Sequence, residues 1–341
     1  MIPPETPPTR TRHPVRRVLL VIGALLVAAI VGVLAIAGLY TANLSSTFDS
    51  TKKITVEEVF PEETTRPEIT VAASQNILLM GSDTRGTVSD DIDDIRGTRS
   101  DTMMVVHIAA DRTSVHVMSI MRDSWVDIPG HGKAKMNAAL SYGGVPLVVQ
   151  TIESLISARI DRVAIVDFAG FAGITDALGG VRVDNPIAFT ALNGGYVFEE
   201  GPIVLNGDKA LGFVRERYAF RDGDYQRVRN QQLFVKGVLN EILSAETLTN
   251  PVTMNNLVAS IAPFLTVDTG FSSAYAAGLG FELRNIRREN LDFFTMPTQG
   301  TGTEGSQSVV YVDFDELSRL QQHFREDALA SYTPAAPPAV G

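Results

Sequence analysis

Three short apolar runs set the first part of the pattern. "NILLM" (Asn76 to Met80), "TMMVVHIA" (Thr102 to Ala109) and "TSVHVMSIM" (Thr113 to Met121) have the length and β-branched content of buried strands. Only a few turn-forming residues separate the last two, which predicts an antiparallel hairpin. "RVAIVDF" (Arg162 to Phe168) and "LGFVRERY" (Leu211 to Tyr218) read as further strands. Longer periodic stretches, "VPLVVQTIESLI" and "YQRVRNQQLFVKGVLNEIL", read as helices. Strands interleaved with helices predict an α/β class, a mixed central β-sheet flanked by helices. No internal repeat interrupts it.

The longest apolar run has another meaning. From Val18 to Leu39 no charge occurs, a length that crosses roughly 30 Å of hydrocarbon as a helix and exceeds the apolar core of a cleaved signal. Arg10, Arg12, Arg16 and Arg17 precede it, which predicts a single-pass cell-membrane protein with a cytoplasmic N-terminus and an external remainder. The expected layout is a tail over 1–17, a transmembrane helix over 18–39, a stalk over 40–75 with polar, Pro and Glu content, a globular domain over 76–328 and a disordered tail over 329–341.

Charge narrows the partners. The chain has 29 Lys+Arg against 39 Asp+Glu, and removal of its first 40 residues leaves 25 against 38. Such a balance disfavours nucleic acid and a DNA-binding regulator. Cysteine is absent, which excludes disulfides and thiolate metal sites.

Against that acidic background five arginines gather between Phe213 and Gln232. On a strand, Arg215 and Arg217 share a face. Asp224 is placed to cap a helix on which Arg227 and Gln231 lie one turn apart. Arg221, in the turn, and Arg229, off the helical register, are expected to be surface charges. The predicted hairpin sets Asp101 beside Arg122, with Arg99 on the same side as Asp101. "GSDTR" brings Asp83 and Arg85 to that edge if its strand runs parallel to the one ending at Arg122. Guanidinium forks match the paired oxygens of phosphate. Taken alone, the arginine run reads as an exposed set of ion pairs with Glu216, Asp222 and Asp224; the Arg99, Asp101 and Arg122 cluster turns the reading toward a site.

In order, "GSDTR", "RSDTMMVV", "SIMRDSWVDIPGHGKAKMNAALSYGG", "DALGGVRV", "LNGDKALGFVRERY" and "GDYQRVRNQQ" resemble the LytR-CpsA-Psr family of cell-wall polymer transferases. The resemblance covers about residues 76 to 245. It implies a LytR-CpsA-Psr-type domain that moves a glycopolymer phosphate from a polyprenyl-pyrophosphate carrier to a peptidoglycan hydroxyl with Mg2+. It also implies pyrophosphate contacts from Arg99, Arg122, Arg215, Arg217, Arg227 and Gln231. Asp83 and Asp101 would serve the metal, and Asp83, Asp101, Arg99 and Arg122 form the catalytic set. Asn230 stands where the family pattern has an arginine, and "VSDDIDDIRG" lengthens the loop after Asp83.

Two alternatives use the same residues: a polyprenyl-pyrophosphate hydrolase, with water as acceptor, and a non-catalytic binder of lipid-linked precursors. Apolar runs that would line a prenyl groove, including "DFAGFAGITDAL", equally make a core. Trp125 and Tyr142 are similarly open. His107 and His116 lack metal-site spacing.

Overall fold

A computed structural model describes residues 52–82, 100–242 and 261–335. The transmembrane prediction, Asp83 and Arg99 lie outside the described residues.

The described residues open with β1 (Lys52–Ile54) and helix α1 (Val56–Val59), followed by β2 (Gln75–Ser82), β3 (Ser100–Ile108), β4 (Val115–Ile120), β5 (Ser124–Ile128) and β6 (Gly132–Lys135). Helix α2 (Ala138–Ile156), β7 (Arg162–Asp167), α3 (Phe168–Ala177) and β8 (Val181–Asn185) come next. Short strands β9 (Phe189–Thr190), β10 (Val197–Phe198) and β11 (Gly201–Leu205) lead into α4 (Gly207–Arg215) and α5 (Asp224–Ile242). The last part has β12 (Leu265–Asp268), α6 (Ser273–Glu282), β13 (Leu291–Thr295), β14 (Thr298–Glu304), β15 (Gln307–Val312) and α7 (Phe314–Arg325).

Seven strands make the main mixed sheet in the order β1-β12-β7-β2-β3-β4-β13. Side chains alternate across it as the pleat demands. Leu78, Met80, Met103, Val105, Met118 and Ile120 face one core with α2 and α7, whereas Ile77, Met104 and Val117 face another with Leu283 and Ile286. Helix α2 is apolar and long enough to cross a membrane, but most of it is buried, so it is a core helix. Helix α5 is shared among three clusters, packing Leu233, Phe234 and Val238 on one, Val235 and Leu239 on another, and Tyr225 and Val228 on a third with Met121 and Val310.

The expected hairpin is present, with Met103 opposite Ile120 and Ile108 opposite Val115. β2 and β4 are both antiparallel to β3, so they run parallel to each other. That satisfies the condition placed on "GSDTR" up to Ser82, which pairs with Ser100. His107 and His116 are buried opposite each other in this hairpin. His107 Nδ1 meets Asn76 Oδ1 at 2.8 Å and its Nε2 meets Asp327 Oδ1 at 2.9 Å.

Three expectations need correction. "LGFVRERY" is not a strand: its first half ends α4, which Asn206 caps by accepting from Lys209 N at 3.3 Å. Ala210, Phe213 and Val214, at helical spacing, bury the inner face. Part of the stretch read as stalk belongs to the fold, because β1 pairs with β12 and Val59 is fully buried. Leu329 and Tyr332, in the stretch read as tail, pack into the main core.

Candidate functional site

A cavity of about 940 Å³ opens where the Arg122 end of the β3–β4 hairpin meets the loop between α4 and α5. A second sheet, in the order β14-β15-β5-β6, forms the facing wall.

The floor is a turn from Met121 to Ser124 pinned from two sides. Asn137 N donates to Arg122 O at 3.0 Å, and Val310 N donates to Asp123 O at 2.8 Å. These bonds fix the backbone under Arg122 and Asp123 and leave their side chains to the cavity. The opposite lip, residues 216–223, is organised by one buried carboxylate. Glu216 Oε1 accepts from the backbone N–H groups of Arg217 (2.9 Å), Tyr218 (2.7 Å) and Ala219 (3.0 Å), and Oε2 accepts from Leu192 N at 2.7 Å. A buried charge is tolerated because so many donors meet it. Gly223 closes the loop at φ 44°, a conformation that favours glycine.

Asp224 begins α5 and collects charge from several elements. Its Oδ1 lies 3.2 Å from Arg227 and 3.4 Å from Arg217. Burial raises the Asp224 carboxyl, but Arg227, a hydrogen bond with Asp123, Arg122 and Arg217 together outweigh it and hold it below the usual carboxylate range. Asp123 is 3.2 Å from Lys135 and 3.6 Å from Arg122. Arg217 also donates to Tyr218 Oη at 2.6 Å and lies over that ring.

The lining contains Arg122, Lys133, Lys135, Arg217 and Arg221 against Asp123, Asp222 and Asp224, a positive balance in a negative chain. That arrangement attracts a multiply charged anion and offers several forked donors to its oxygens.

The sequence-predicted residues do not all meet there. Arg122 and Arg217 line the cavity, and Arg227 is buried directly behind Asp224. Gln231 is buried one turn further on, where Nε2 donates to Val214 O at 3.3 Å. Arg215, the last residue of α4, is exposed and outside the lining. Asp101 lies in β3, with only its backbone described. Arg221 is exposed, as expected, and also lines the cavity, while Arg229 pairs with Asp222 and Gln226. Trp125 and Tyr142 both belong to the lining. Sequence reasoning passed over Asp123, Lys133 and Lys135. The i, i+2 spacing of the two lysines on a strand was a usable signal for a shared face.

Magnesium favours oxygen ligands. Among the described residues no three acidic or histidine side chains converge to hold a metal, and Asp123 and Asp224 are already matched by basic groups.

Comparison with known proteins agrees with this architecture. The LytR_cpsA_psr family model matches residues 39–326. The polyisoprenyl-teichoic acid–peptidoglycan teichoic acid transferase TagU of Enterococcus faecalis is 30% identical over 254 residues, covering 73% of this chain and 78% of that protein. The crystal structure of B. subtilis TagV superposes with a TM-score of 0.65 at 24% identity, over 77% of this chain and 100% of that one. TagT bound to LIIa-WTA gives 0.62 at 22% identity, over 79% and 99%. With the family model spanning both sheets and the cavity between them, the chain belongs to the LytR_cpsA_psr family.

Proposed function

We propose that this protein is a membrane-anchored phosphotransferase that moves a glycopolymer from a polyprenyl-pyrophosphate carrier to peptidoglycan. The observation that carries the reading is the cavity floor, where Arg122, Arg217 and Lys135 converge around Asp123 and Asp224 within an acidic chain. The name of the E. faecalis relative supplies the substrate class. Phosphoryl transfer needs positioning and charge neutralisation more than a covalent nucleophile, which suits such a floor.

In the proposed reaction an acceptor hydroxyl attacks the phosphorus nearest the glycopolymer. A new P–O bond forms, the phosphoanhydride breaks and prenyl phosphate leaves. The hydroxyl proton passes to a carboxylate, for which Asp83 and Asp101 are the candidates. Magnesium, held by the same two residues, would neutralise phosphate charge. Arg122 and Arg217 would bind the pyrophosphate, joined by Arg99, Arg227 and Gln231 as the family resemblance implies, whereas Arg215 stands outside the cavity lining. The segment 18–39 would anchor the protein with its N-terminus in the cytoplasm.

The test is incubation of the full chain with a prenyl-pyrophosphate-linked glycopolymer, with and without peptidoglycan and with and without magnesium. Covalent attachment that needs peptidoglycan supports the proposal. Equal prenyl phosphate release without peptidoglycan and without attachment would identify the hydrolase, and binding without turnover the non-catalytic binder.

A further inference from the structure

Beside the charged cavity lies a second concavity of about 340 Å³ whose lining includes Pro61, Glu62, Thr65, Pro146, Leu147 and Gln150. A stacked aromatic pair stands between the two. The rings of His131 and Tyr142 are 4.8 Å apart and inclined by 22°. Tyr142 contributes to the charged cavity, and His131 contributes to the second one.

Both rings are presented by backbone that few sequences adopt. His131 tops the β5–β6 hairpin between Gly130 at φ 77° and Gly132 at φ 72°. Tyr142 is followed by a break in α2 at Gly143 and Gly144, the latter at φ 67° and ψ −161°, a region open essentially to glycine. A Cβ on Gly143 would come within 2.7 Å of Leu147. Tyr142 remains 51% exposed despite its stacking.

The two concavities differ in chemistry. The first is rich in cations, whereas the lining of the second has Glu62 as its one carboxylate and no Lys or Arg, with the His131 ring set among apolar and neutral polar groups. An anionic carrier fits the first and gains nothing from the second. A pyranose chain has the complementary character, with C–H faces that pack on aromatic rings and hydroxyls that bond to groups such as Thr65, Gln150 and Glu62.

We propose that the His131–Tyr142 pair and the concavity beyond it form the binding track for the acceptor glycan, laying one sugar on Tyr142 beside the phosphate site and its neighbours past His131. This inference rests on the transferase reading above and adds the acceptor subsite to it.

The experiment measures transfer kinetics to soluble, peptide-free glycan strands prepared from peptidoglycan, together with direct binding of a donor analogue. His131→Ala and Gln150→Ala are expected to raise the acceptor KM about fivefold to tenfold, in keeping with one lost aromatic or polar contact, with kcat at saturating acceptor near the parent value. His131→Tyr retains a ring and should stay near the parent KM. Tyr142→Ala should raise the KM and Tyr142→Phe should not. An unchanged acceptor KM in both His131→Ala and Gln150→Ala overturns the inference while parent transfer leaves the transferase reading standing. Loss confined to kcat also overturns it. A parent chain that binds no donor analogue overturns the transferase reading itself.

Discussion

Asp224 Oδ1 stands 3.2 Å from Arg227 across the first turn of α5, and both side chains are largely withdrawn from water. Asp224→Asn removes the charged half of that contact and should cost about 1.5–3 kcal/mol at neutral pH. The folded-state carboxyl is held below the ordinary carboxylate value, so its stabilisation is fully present above the unfolded-state pKa, near 3.8, and is lost as pH falls through the folded value. Unfolding free energies of parent and variant should therefore differ at pH 7 and converge in acid. A gap independent of pH would refute the assignment.

Glu216 should matter although it does not line the cavity. Glu216→Ala leaves four backbone donors without their carboxylate and should cost about 3 kcal/mol or more, with weaker binding of a prenyl-pyrophosphate analogue as the 216–223 lip loosens. Glu216→Gln, which keeps an acceptor oxygen, should lose less on both measures. Chemical denaturation and titration of the analogue on the same samples check this.

The cationic residues should separate by position. Arg122→Ala and Arg217→Ala each remove a charge-assisted donor worth about 1.5–3 kcal/mol, so analogue affinity should fall about tenfold to a hundredfold. Arg221→Ala should show a smaller measurable loss. Arg229, engaged by Asp222 and Gln226, should stay within about 0.5 kcal/mol of the parent on substitution by alanine. Binding at one fixed salt concentration decides, and equal losses for Arg217 and Arg229 would contradict the geometry.

A separate prediction concerns stability alone. Arg66 Nη2 lies 2.7 Å from Glu153 Oε1, and Glu153 is 1% exposed. Arg66→Ala strands that carboxylate in the core and should cost about 3–5 kcal/mol. The double variant Arg66→Ala with Glu153→Gln should recover part of the loss in denaturant unfolding.

The hairpin and the long helices were legible because local patterns there agree with global burial: Met104 and Val117 point one way, Met103 and Met118 the other. The helix α4 was not. Its Phe213 and Val214 favour strands by propensity, and the helix forms because an Asn206 cap and burial of those two side chains against the β8–β11 layer override that preference. Lys52 to Ile54 gave too short and polar a signal to be read as a strand, and only pairing with distant β12 makes it one. Charge made Arg122, Arg217 and Arg227 conspicuous. Lys133 and Lys135 joined them through a sheet that assembles strands from residues 124 to 312, a non-local arrangement with no single-segment signature, and Tyr142 reached the cavity from the first turns of α2.

The early start of β1 bears on how the protein would meet its substrate. Between the end of the proposed span at Leu39 and the first strand residue, Lys52, lie 12 residues, a leash whose fully extended reach is at most roughly 45 Å. A long stalk would let the domain sample a deep shell of the wall. With the proposed anchor in place, such a leash would confine the domain to a thin layer above the bilayer, where a lipid carrier diffusing in the same membrane would meet it at the high effective concentration of a tethered pair. On that proposal, the glycan acceptor within reach would be the layer of wall nearest the membrane.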